Sequence, residues 1–179
     1  MKQSFVFSGS GGQGIMSAGI MLAHAAIDES KHATYLPEYG PEQRGGSAKC
    51  TVIISDGDII SPLTKKCDNL ICMNEQAYRK FAGDLKPGGL LLINSSRIKD
   101  EQLREDVRVL GIPVDDIALS LGNERVANIV LIGALMGATD IVSKDVFIRS
   151  LEEKFKGKKP GILEMNILAL EKGIELAKN

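Results

Sequence analysis

The segment Ser8-Gly9-Ser10-Gly11-Gly12-Gln13-Gly14 lies between the apolar run Phe5-Val6-Phe7 and a long apolar helix, and it decides how the rest of the chain is read. Four glycines within six residues leave the backbone free to take positive φ and let another group approach the main chain closely. Behind them Ile15, Ala18, Gly19, Leu22, Ala23, Ala26 and Ile27 recur at helical spacing. A strand, a glycine turn and a helix N-terminus gather free N–H groups and the positive end of a helix dipole at one point, where an anion is well placed. The spacing Gly9-x-Gly11-x-x-Gly14 also fits the dinucleotide fingerprint. That fingerprint expects an acidic residue roughly 20 positions further on, yet Asp28 and Glu29 come too early and Glu38 follows Pro37 in a loop. On the residues alone three readings stand: an anion-binding loop, a tight turn with nothing bound, and a private NAD site.

Working outward, His32–Leu36 reads as a second strand and Ser47–Ser55 as a third, closed by the turn Asp56-Gly57-Asp58. Asn69–Met73, a helix over Gln76–Leu85, a turn at Pro87-Gly88-Gly89 and the strand Leu90–Ile93 make a second β-α-β unit. Residues 107–110 and 112–114 suggest a further extended piece, followed by helices near 124–138, 143–155 and 162–178. Strands alternating with helices predict an α/β fold: a three-layer, mostly parallel Rossmann-like sheet with helices on both faces. In such sheets ligands bind beyond the carboxyl ends of the strands, which puts Gly9–Gly14 and Pro37–Gly46 on one edge.

The chain has 179 residues, 44% of them hydrophobic, enough for the core of one domain spanning residues 1–179. Twenty-two basic residues against 23 acidic ones provide no basic field for nucleic acid. Val126–Val142 is broken by Asn128 and Asp140 and suits a buried helix better than a membrane span. The first residues read directly as a strand, without a basic region, an apolar segment and a cleavage site in series, so a cytoplasmic chain is expected. The three cysteines, Cys50, Cys67 and Cys72, form no C-x-x-C pair and read as reduced, mostly buried thiols, one short of a cubane cluster's usual four ligands. His24 and His32 have no neighbouring ligand cluster and are assigned no chemistry.

The stretch Tyr39-Gly40-Pro41-Glu42-Gln43-Arg44-Gly45-Gly46 combines rigid turns with a charged pair and an aromatic. Arg44 offers a planar fork for a carboxylate or phosphate. Alternatively, Glu42 and Arg44 form a local surface pair of little energetic weight. Asn123 reads as a helix cap, with Glu124 in the first turn. Asn128 falls within the first turns of an apolar helix and needs a hydrogen-bond partner, such as a loop at the same sheet edge.

Five segments in order, G-x-G-G-Q-G at 9–14, AGIMLAHAA at 18–26, YGPEQRGG at 39–46, SDGDIISP at 55–62 and LGNERVANIVLIGAL at 121–135, make the chain resemble the γ subunit, or γ domain, of the 2-oxoacid:ferredoxin oxidoreductases. The resemblance implies a complex that decarboxylates a 2-oxoacid, joins the acyl group to coenzyme A and reduces ferredoxin. Thiamine diphosphate, Mg and iron–sulfur clusters are then held by α, β and ferredoxin-like δ subunits. Consistent with that division, the chain has no Gly-Asp-Gly followed by a downstream Asn, the pattern of the family's thiamine-binding chains.

Under this resemblance Gly9, Gly11, Gly12, Gln13, Gly14 and Arg44 are the expected cofactor-facing residues, toward a coenzyme A phosphate. Tyr39, Glu42, Arg44, Asn123 and Asn128 are expected at the interface or active-site edge. No catalytic residue or metal ligand is assigned, and the chain alone is expected to be inactive and to self-associate or seek partners. The substrate leans to 2-oxoglutarate or a branched-chain 2-oxoacid. Two other readings remain, a free-standing nucleotide-binding Rossmann-like module and a purely structural scaffold.

Overall fold

Phe5-Val6-Phe7 becomes the middle of the central strand, with Phe5 and Phe7 packed into one core and Val6 into the other. A strand buried on both faces reads as this kind of continuous apolar run. The computed structural model describes residues 1–40, 46–99 and 104–178. Its strands are β1 (Lys2–Ser10), β2 (His32–Tyr39), β3 (Ser47–Ser55), β4 (Cys67–Cys72), β5 (Leu85–Asn94) and β6 (Arg108–Ile112), in the sheet order β2-β3-β1-β4-β5-β6.

The helices are α1 (Ile15–Asp28), α2 (Glu75–Phe81), α3 (Val114–Ser120), α4 (Ala127–Thr139), α5 (Lys144–Phe155) and α6 (Ile162–Lys178). Buried residues of α1 and α3 to α6 join the Phe5 and Phe7 core. Tyr78 of α2 joins the Val6 core, so helices cover both faces and the layers number three.

β1, β4, β5 and β6 pair in parallel, and β2 shares their direction. The exception is β3, which lies antiparallel between β1 and β2. Its antiparallel sense follows from the connection: residues 40–46 are too few for the crossover of a dozen or more that a parallel partner requires. The first β-α-β unit, β1-α1-β2, therefore strides over β3.

Three local readings change. Pro37, Glu38 and Tyr39, expected in a loop, extend β2 and pair with Cys50, Lys49 and Ala48 of β3. Pro87-Gly88-Gly89 lies within β5, where the pairing with β4 slips between Cys67↔Leu85 and Asn69↔Leu90 and Gly88 takes φ +74°. The turn chemistry is spent on a bulge inside the strand. The extended piece runs through Ile112 as β6, but Pro113 and Val114 do not continue it. Pro113 caps α3, with Asp115 and Asp116 in its first turn, an N-terminal helix signature that the short apolar run concealed.

Helix α4 is apolar all round, with Ile129–Met136 buried, and it packs along α6. The close approach rests on glycines: a Cβ on Gly133 would run into the Leu170 carbonyl, and one on Gly137 would lie 2.8 Å from the carbonyl oxygen of Ile174. No helix among the described residues is long and apolar enough to cross a membrane.

Candidate functional site

β1 ends at Ser10 and α1 begins at Ile15, so the glycine loop sits at the carboxyl edge of the sheet with α1 directly behind it. Gly12 (φ +93°) and Gly14 (φ +75°) use the left-handed region, and Gly14 caps α1 with no side-chain bond. No acidic residue lies in the first turn of α1, so its positive end faces the loop uncompensated. Gly11 N–H donates to the Gly46 carbonyl (3.1 Å) and Gln13 N–H to that of Ser10 (3.2 Å). Among the described residues nothing accepts from the N–H of Gly12 or Gly14.

The glycines therefore divide by task. Gly9 is buried, and a Cβ there would lie 2.6 Å from Gln13 Oε1 and 3.1 Å from Met73, so its bareness makes room for the folded-back Gln13 side chain rather than for a ligand. Gln13 Oε1 accepts from Ser10 N–H (2.7 Å) and Asn74 Nδ2 (2.9 Å). A Cβ on Gly12 would meet nothing within 4 Å. At Gly14 it would meet Asn128 at 2.9 Å, because Asn128 Nδ2 donates to the Gly14 carbonyl (3.4 Å). The partner that Asn128 needs is thus the glycine loop itself.

Beside the loop opens a cavity of about 410 Å³, lined by Gly12, Gln13, Gly14, Met73, Arg97, Asp115, Asp116, Leu119, Glu124, Arg125, Ala127 and Asn128. Asn94 Nδ2, at the end of β5, donates to Asp115 Oδ1 (3.0 Å), and Arg97 pairs with the same carboxylate. Asp116 accepts from the Ser96 hydroxyl (3.0 Å). Arg125 has no ion-pair partner among the described residues. A larger depression, about 600 Å³, lies between α1 and α5, away from the strand ends and their open amides.

Of the expected site residues, Gly12, Gln13, Gly14 and Asn128 line this cavity. Asn123 does not: its side chain accepts from Arg125 N–H (3.0 Å) and caps the 3₁₀ turn Glu124–Val126 that leads into α4. Tyr39 is 73% exposed at the end of β2, two ladder spacings from β1 or roughly 10 Å, on the side away from β4. Glu42 and Arg44 lie outside the described residues. The sequence reading did not single out Asn74, Asn94, Arg97, Asp115 or Asp116, which no glycine signature marks. They become visible only as the polar residues at, or shortly beyond, the carboxyl ends of the parallel strands β4, β5 and β6.

All three cysteines are buried, Cys50 beneath α1 and Cys67 and Cys72 on the opposite face of the sheet. Burial pushes each thiol up to about 12, so none offers a thiolate. Among the described residues no three His, Cys, Asp or Glu side chains converge as a metal site.

The chain matches the family model "Pyruvate ferredoxin/flavodoxin oxidoreductase" over residues 4–176. It is 41% identical to the 2-oxoglutarate synthase subunit KorC of Methanocaldococcus jannaschii, over 99% of this chain and 95% of that one. It is 36% identical to the ketoisovalerate oxidoreductase subunit VorA of Methanothermobacter marburgensis, covering 96% of this chain but only 36% of the relative. Among solved structures, the γ subunit of a keto/oxoacid ferredoxin oxidoreductase from Geobacter sulfurreducens superposes with a TM-score of 0.83 at 35% identity, over 98% of both chains. A 2-oxoglutarate:ferredoxin oxidoreductase from Magnetococcus marinus, solved with 2-oxoglutarate, coenzyme A and succinyl-CoA, superposes with a TM-score of 0.92 at 26% identity, over 99% of this chain and 31% of that one. By sequence along nearly its whole length, and by the fold that carries the glycine loop, this chain belongs to the pyruvate ferredoxin/flavodoxin oxidoreductase family, as a γ subunit of the 2-oxoacid:ferredoxin oxidoreductases.

Proposed function

We propose that this chain serves a multi-subunit, thiamine diphosphate-dependent enzyme that converts 2-oxoglutarate and coenzyme A to the acyl-CoA and CO2 while reducing ferredoxin, and that its glycine loop receives a coenzyme A phosphate. The observation that carries the reading is the pair of amides on Gly12 and Gly14, from which no described residue accepts, at the bare N-terminus of α1 and in the lining of a cavity that Arg125 also lines. These donors fit a phosphate: two N–H groups, a helix dipole and a guanidinium with no ion-pair partner among the described residues. Support for the ligand comes from the Magnetococcus marinus enzyme, solved with coenzyme A, and for the 2-oxoacid from the KorC relatives.

The same residues do not fit an iron–sulfur cluster, because the thiols are buried, protonated and divided between the two faces of the sheet. Clusters, Mg and thiamine diphosphate are therefore assigned to α, β and ferredoxin-like δ partners. This chain supplies no catalytic residue in the proposal. Its part is to assemble with those chains and to hold the coenzyme at the active-site edge, and Tyr39, Glu42 and Arg44 are assigned to contacts with the partner chains.

The test is an anaerobic affinity purification from the native organism, with mass spectrometry and coenzyme A-dependent dye reduction on 2-oxoglutarate, 2-oxoisovalerate and pyruvate. Co-purification of a thiamine-binding chain and a ferredoxin-like chain, with activity on 2-oxoglutarate, is the expected result. Activity on another of the three acids overturns the substrate. Recovery of the chain alone with a bound nucleotide overturns the complex. Arg125→Ala and Arg44→Ala then separate the two cations: a raised KM for coenzyme A marks a phosphate contact, and loss of co-purifying chains marks an interface contact.

A further inference from the structure

The glycine loop does not hold its shape by its own backbone alone. Gln13 folds back so that its Oε1 receives the N–H of Ser10 and the Nδ2 of Asn74. Asn74 Nδ2 also reaches the Ser10 hydroxyl (2.9 Å), while Asn74 Oδ1 accepts from Ala77 N–H (2.8 Å) and caps α2. That cap bond fixes which way the Asn74 amide faces, since its oxygen is committed to Ala77 and its nitrogen must turn to the loop. Gln13 is fixed in turn, because both groups pointing at Oε1 are donors. Asn74 itself is placed by β4, whose following residue Met73 donates its N–H to the Ser8 carbonyl (2.9 Å).

We propose that Asn74 is a positioning residue for the glycine loop: through Gln13 it holds Gly12 and Gly14 in the conformation that turns their amides to the cavity. Asn74 does not line the cavity, so its effect on binding passes through Gln13 and Ser10. The proposal rests on the reading of this loop as the coenzyme A phosphate site, and it assigns a task to a residue outside the glycine motif, on the opposite helical layer of the sheet.

Asn74→Asp isolates this task. Aspartate caps a helix as well as asparagine does, so the Ala77 bond and α2 are retained. What disappears is the Nδ2 donor, and an acceptor then faces Gln13 Oε1. Gln13 has no way out by flipping its amide, because its own NH2 would then face the Ser10 N–H. Gln13→Met attacks the same lock from the loop side and leaves the α2 cap untouched.

Both variants are measured in the assembled complex by KM for coenzyme A, KM for the 2-oxoacid, amide hydrogen exchange of Gly11–Gly14 and melting temperature. The expected result is a rise of about tenfold in KM for coenzyme A, the scale of one lost hydrogen bond, with the KM for the 2-oxoacid unmoved. Exchange of the loop amides is faster, the melting temperature is kept in Asn74→Asp, and the double variant shows no more than either single one. Faster exchange with an unmoved KM for coenzyme A supports the hold of Asn74 on the loop and overturns the coenzyme A reading of the loop. Unchanged exchange in both variants, or additive effects in the double variant, overturns the proposal.

Discussion

At the residue scale, Gly12 and Gly14 share a positive φ but differ in surroundings, and the difference can be measured. Alanine at either position carries a left-handed penalty of about 1–2 kcal/mol. Only at Gly14 does the new methyl meet Asn128, so Gly14→Ala is expected to melt below Gly12→Ala, by about 3 °C for each further kcal/mol. Equal melting temperatures would show that Asn128 yields freely. Asp68 supplies a pH-dependent counterpart. Burial alone would raise its pKa, but the Lys86 ammonium at 2.5 Å and the Ser4 hydroxyl and N–H outweigh it and hold the carboxyl below its ordinary value. A depressed carboxyl stabilises above its unfolded pKa, about 4, and that contribution is lost as pH falls through the folded value. Asp68→Asn is therefore expected to cost about 1 kcal/mol at pH 7, after allowance for solvent screening, and to lose that deficit at acid pH. Urea titrations at both ends of the range check it.

At the scale of elements, helices α4 and α6 depend on glycine where ordinary helices avoid it. A methyl on Gly133 is driven into the Leu170 main chain, which has no rotamer to escape by, so the two helices must separate. Gly133→Ala is expected to destabilise the chain by about 3 kcal/mol despite alanine's better helix propensity, and chemical denaturation gives the value. A neutral or stabilising result would mean that the α4–α6 contact is looser than its geometry. The periodicity of 124–138 and 162–178 was enough to place both helices, yet α3 was missed. Its seven residues carry too few turns for periodicity to register, and Pro113 favours extended backbone and helix starts alike. In β5, likewise, Pro87-Gly88-Gly89 gave a correct turn signal, but that the turn is a bulge within a strand depends on β4 alongside.

Across the whole molecule, the sheet divides the apolar residues into two cores, and the cysteines report on both. With thiols pushed up to about 12 and side chains buried, a disulfide-exchange reagent at pH 8 is expected to find none of the three in the folded chain and all three in denaturant. Fast labelling of Cys50 alone would mean that α1 lifts from β3, whereas labelling of Cys67 and Cys72 would mean that the α2 face opens. The α/β class, the strand at Phe5–Phe7, the glycine turn, most of the helices and the kinship with γ subunits were all legible in the sequence. Those properties are written in local spacing, turn chemistry and short ordered motifs. The antiparallel sense of β3, the supports that Asn74 and Asn94 give to Gln13 and Asp115, and the division of the glycines between open amides and room for Gln13 were decided only by the tertiary structure. Each depends on groups far apart in the chain meeting at one sheet edge, and no local pattern encodes which distant side chain will satisfy a given donor.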